Sequence, residues 1–205
     1  MPRTAPDPNS GYPPRWDVFD HFVRTAGCGM FGFSGTSRDL NRFAARYRAS
    51  SSFNYIDFEN LAASTSRGYS ELCNLLLAYS AFEYYLKALG LTLGNCDSLL
   101  TVAERARTLA QIRALNGNSA YFEFIHPYCS KGLKYQIDLY LTPRVCNPFC
   151  LAAAARHVFA HGALTPNPTG VEPGTVETVT RLLRKIIMRS MERDFEQRMR
   201  DFEEC

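Results

Sequence analysis

The stretch NPFCLAAAARHVFAHG, residues 147–162, holds both ends of a helix and the polar cluster on which the functional reading depends. Asn147 is a good N-cap, and Pro148 falls at the first helical position, where its missing N–H would have no partner anyway. Ala152 to Ala155 have the highest intrinsic helix propensity and allow close packing. Gly162 suits the left-handed residue that ends a helix, and Pro166 lies just beyond it. The spacing predicts a helix over 148–161 that delivers Arg156, His157 and His161 to its last turn.

Working outward, apolar residues at three- and four-residue intervals predict further helices. Leu72, Leu75, Leu76, Tyr79, Phe82, Leu86 and Leu89 define one over 68–89, ended by Gly90, with Glu83 at the edge of its buried stripe. A second is expected over 98–115, with Asp97 as its cap. The stripe from Val176 to Phe202 predicts a long last helix over 175–203, roughly 40 Å at 1.5 Å per residue. Its charged end packs either on the N-terminal segments or across a dimer interface. Residues 120–142 show both helical and alternating periodicity, and their place between two helices favours helix. Trp16, Phe19, Phe22 and Val23 predict a short docking helix. The fold class expected is therefore all-α, a helical bundle over 67–205, preceded by a flexible proline-rich tail (1–15) and an N-terminal segment with short helices (16–66).

Composition bounds the function. The chain has 205 residues, 46% hydrophobic and 13% aromatic, as in a globular protein. A formal net charge of +3 permits nucleic-acid binding without arguing for it, since phosphate contacts demand many cations. The seven cysteines form no CxxC pair, there is no apolar signal-peptide core, and no run of 18 apolar residues exists. These features indicate a cytoplasmic protein with reduced thiols and no membrane span.

Three motifs carry possible chemistry. Gly27 to Gly32 spells G-x-G-x-x-G, but no strand precedes it and no βαβ pattern surrounds it, so it reads as a turn and no cofactor is expected. Arg38, Arg42, Arg46 and Arg48 line one face of an amphipathic helix, either a solvated face or an arm that holds an RNA backbone. His157 and His161 have the i, i+4 spacing of zinc ligands, but Val158 stands where a zinc protease needs Glu, and a metal would require a third ligand. No metal is therefore assigned. His126 has no partner visible in the sequence.

Arg156, four intervening residues, then His161 and Gly162 resembles the signature of the HEPN superfamily, in which an Arg and a His sit on the last turn of a bundle helix. His157 stands where the family often has a polar residue. Residues 79–87, with Glu83 among apolar neighbours, look like the earlier acidic helix of such domains, and the likeness covers roughly 68–190. Arg156 and His161 lie about 140° apart around one helix; the resemblance implies a homodimer through that helix, in which the two-fold mate completes a composite cleft. It implies metal-independent cleavage of RNA to 2′,3′-cyclic phosphate ends, in a toxin or defence setting, with an antitoxin or other protein partner. His161 would be the general acid or base, Arg156 would stabilise phosphate charge, His157 would orient the substrate, and Glu83 would lie close by. Arg38, Arg42 and Arg46 would hold RNA. The rival reading is a catalytically silent bundle that binds RNA, a nucleotide or a protein. Some relatives carry a Tyr soon after the motif His; here Gly162, Ala163 and Leu164 follow.

Overall fold

Eight α-helices and no strands make up the described residues, 10–205, of this computed structural model. Most of the expected proline-rich tail, residues 1–9, lies outside them. The helices are α1 (Trp16–Ala26), α2 (Ser37–Ser52), α3 (Ala63–Leu89), α4 (Val102–Arg113), α5 (Asn118–Ile125), α6 (Lys131–Leu141), α7 (Pro148–Ala160) and α8 (Thr175–Glu203). The chain is an all-α bundle. Residues 120–142, ambiguous in periodicity, are helical as expected, split into α5 and α6 by a 3₁₀ turn at His126–Tyr128.

Local chemistry explains the boundaries. Thr36 caps α2 with a capping box: its Oγ1 accepts from the Asp39 N–H, and Asp39 accepts in return from the Thr36 N–H. Such a cap contributes about 1 kcal/mol. Asp39 also takes the Lys87 ammonium at 2.7 Å, tying the start of α2 to the end of α3. Lys87 and Thr36 together hold the Asp39 carboxyl down at about 2. The start of α4 departs from expectation. Asp97 lies in a 3₁₀ turn (Cys96–Leu99), where it pairs with Arg105 at 2.8 Å, and the cap is Thr101, boxed with Glu104. The T-x-x-E pattern outcompetes an isolated Asp because it satisfies two orphan N–H groups at once.

Helix α3 is the axis of the assembly. It packs along α2, α8 and α7, while α4, α5 and α6 close the far side of α7 and α8. At the other end of the bundle, rings from α1, the Phe31–Phe33 turn and α2 converge on Phe195 of α8. Trp16, Phe19, Phe33 and Phe43 all lie within 6.1 Å of it, centroid to centroid. Each such pair adds roughly 0.5–1.5 kcal/mol beyond area burial. Phe31, inside the G-x-G-x-x-G turn, stacks on Phe202 at 4.2 Å. The charged end of α8 thus packs on the N-terminal segment, and one hydrophobic core runs continuously from Trp16 to Met199.

No helix among the described residues is long and apolar enough to cross a membrane.

Candidate functional site

The polar cluster at the end of α7 is held by what precedes and follows it. Asn147 caps the helix through its Oδ1, which accepts from the Phe149 N–H at 2.9 Å. Phe149 to Ala155 are all buried, so seven consecutive residues fix the helix in the bundle before the chain emerges at Arg156. Phe149 meets Phe82 of α3 at 4.8 Å. The exit is a Schellman motif: the Gly162 N–H donates to Phe159 O and the Ala163 N–H to Val158 O. Gly162 takes φ +77°, a conformation a side chain would strain. Beyond it, Pro166 folds back onto α3 so tightly that a Cβ on Gly68 would lie 2.5 Å from the proline. The last turn is therefore braced on both sides.

Arg156 is half-buried. Its guanidinium lies over the Tyr79 ring at 5.5 Å, and Nη2 sits 3.5 Å from Glu83 Oε2. That contact is long for a charge-assisted hydrogen bond. Among the described residues, Nε of Arg156 is buried with no hydrogen-bond partner. Burial drives the Tyr79 phenol well above its ordinary range, with the Glu83 charge adding to the effect, so Tyr79 serves as a neutral platform.

His157 and His161 stack edge to face, 4.5 Å between ring centroids, with His161 exposed. Among the described residues neither imidazole hydrogen-bonds to Arg156, which turns instead toward α3. The structure thus joins Arg156 to Glu83 and His157 to His161, as two adjacent pairs rather than one constellation. Arg42 and Arg46 reach α3 from α2, at residues next in sequence to Tyr79 and Glu83. They cover Tyr84, the neighbour of Glu83, at 5.6 and 4.2 Å, and Arg46 donates to Ser80 Oγ at 2.9 Å. Arg38 is exposed on α2. In sequence Tyr79 reads as part of the apolar stripe and Tyr84 carries no local signal; only their proximity to the arginines distinguishes them.

No group of three or more His, Cys, Asp or Glu among the described residues could hold a metal ion. Burial favours the protonated thiol at Cys150 in α7, pushed up to about 12, and at Cys146 just before it, pushed up to about 11. His126 Nε2 lies 3.0 Å from Asp138 Oδ1 but without hydrogen-bond geometry.

The fold defines an all-α bundle, and the site defines an Arg–His cluster on a braced helix end. Compared with known proteins, the chain matches no protein family, no curated protein and no solved structure significantly.

Proposed function

We propose that the chain is a HEPN-like, metal-independent endoribonuclease whose chemistry is carried by Arg156 and His161. The observation that carries this reading is the state of Arg156: anchored over Tyr79, loosely held by Glu83, with a buried donor unused, and beside two clustered imidazoles at the same helix end. His161 takes or returns a proton as the 2′-oxygen attacks phosphorus and the bond to the 5′-oxygen breaks, and Arg156 neutralises the charge that develops on the phosphate. His157 orients its neighbour, and Glu83 releases Arg156 to the substrate. A two-fold dimer through α7 would place two such sets in one cleft. A toxin or defence setting, with an antitoxin or other protein partner, fits this activity.

The test is a mixed RNA pool incubated with purified protein in EDTA, beside His161→Ala. Cleavage by wild type alone, leaving cyclic phosphate ends, is the expected result. No cleavage by either folded protein would favour the second reading, a silent binding module. The Glu83 contact supports that alternative, since it already occupies one guanidinium nitrogen of Arg156.

A further inference from the structure

Helix α8 carries seven cations. Arg181, Arg184, Arg193, Arg198 and Arg200 each pair with a carboxylate. Among the described residues Lys185 and Arg189 do not, and both line a cavity of about 260 Å³ between α8 and α4. Arg107, on the α4 wall of that cavity, is likewise exposed and without a carboxylate. Arg193 closes one end, paired with Glu104. Four cations against one carboxylate leave a local excess of three positive charges, as large as the formal net charge of the entire chain. The cations left unpaired on α8 are therefore gathered on one groove.

Their spacing indicates what the groove fits. The unpaired Lys185 and Arg189 stand four residues apart, roughly 6 Å along the axis. That step is close to the separation of successive phosphates along a nucleic-acid strand and wider than the step between phosphates within a polyphosphate. No aromatic side chain is among the described residues that line it, so no base-stacking platform is present.

We propose that the α4–α8 groove is a track for the phosphate backbone of an RNA strand, bound without regard to sequence. The inference rests on the nucleic-acid half of the function proposed above and not on catalysis at His161. It is tested by fluorescence anisotropy with a short single-stranded 2′-O-methyl RNA, which cannot form a cyclic phosphate, at stepped salt concentrations. A failure of cleavage thus leaves this test intact. The triple variant Arg107→Gln, Lys185→Gln, Arg189→Gln should flatten the slope of log affinity against log salt by about 2, three contacts at ~0.7 each, which is about 50-fold weaker binding at physiological salt. Should that variant fail to fold, Arg189→Gln alone should flatten the slope by ~0.7, about fourfold in affinity. A control that removes three cations elsewhere (Arg24→Gln, Lys131→Gln, Arg144→Gln) should change the slope little. Equal effects from both triple variants, or an unchanged slope in the groove variant, would overturn the proposal. Displacement of the RNA by inorganic tripolyphosphate at equal phosphate concentration would place a small polyphosphate in the groove and overturn the strand reading.

Discussion

Arg198 and Arg156 are comparable, each half-buried with an aromatic ring beneath the guanidinium. Arg198 lies over Phe33 at 5.2 Å, donates to Asp194 Oδ2 at 2.8 Å and donates to the Gly32 carbonyl at 2.7 Å. The same Asp194 accepts from the Tyr85 hydroxyl at 2.6 Å. Arg156 lies over Tyr79 at 5.5 Å, yet it has one contact of 3.5 Å and a buried Nε with no partner. Taking an arginine out of water costs free energy that its hydrogen bonds must return. At Arg198 the surrounding protein returns it; at Arg156 it is returned only in part. On the function proposed above, the difference separates an arginine that serves the fold from one available to chemistry.

Removing the satisfied arginine should have the largest effect on stability. Arg198→Ala leaves Asp194 partly buried without its cation and is expected to cost about 2 kcal/mol, below the 3–5 kcal/mol of a fully buried pair because about a quarter of each side chain is exposed. Urea denaturation of the variant against wild type checks this, and a cost near zero would break the comparison.

The same network has a pH signature. Burial, and then Asp194, raise the Tyr85 phenol well above its ordinary value near 10, and burial with Glu192 does the same for Tyr47. These groups keep their protons in the folded chain where the unfolded chain would release them. Their contribution is therefore complete below about pH 10 and is lost as the pH rises above it. Denaturant midpoints should fall steeply above about pH 10, in step with the appearance of tyrosinate absorbance.

The smallest effect belongs to Glu83. Its carboxylate is 47% exposed, so Glu83→Gln should change stability by under about 0.5 kcal/mol. If Glu83 holds Arg156 ready, cleavage should fall severalfold at an unchanged melting midpoint. A large fall in the midpoint would mean that this pair, like Arg198 with Asp194, belongs to the fold.

Much of the fold was legible in the sequence where one local signal dominated. The bounds of α8 follow its apolar stripe, and α7 follows its Asn-Pro start and glycine stop. The start of α4 was misread because Asp97 was weighed alone, although Thr101 and Glu104 spell the stronger cap. At the candidate site, Arg156, His157, His161 and Glu83 were visible as a pattern, and the Arg156–Glu83 contact joins the two segments that carried it. The turn of Arg156 toward Tyr79, away from the histidines, depends on how α3 and α7 pack and leaves no local trace. The α4–α8 groove was hidden for the same reason. Arg107 is 78 residues from Lys185 in the chain, and which cations of α8 find carboxylates is decided by neighbours from α3, α4 and α8 itself.

On the function proposed above, Arg156 is held for a ligand and not for the fold. The most direct measurement is the melting midpoint and the RNA cleavage rate of Arg156→Ala, taken on one preparation. The expected result is a midpoint within about 2 °C of wild type and cleavage reduced roughly 100-fold or more. A midpoint lowered by about 8 °C or more, with cleavage by the folded fraction unchanged, would contradict it.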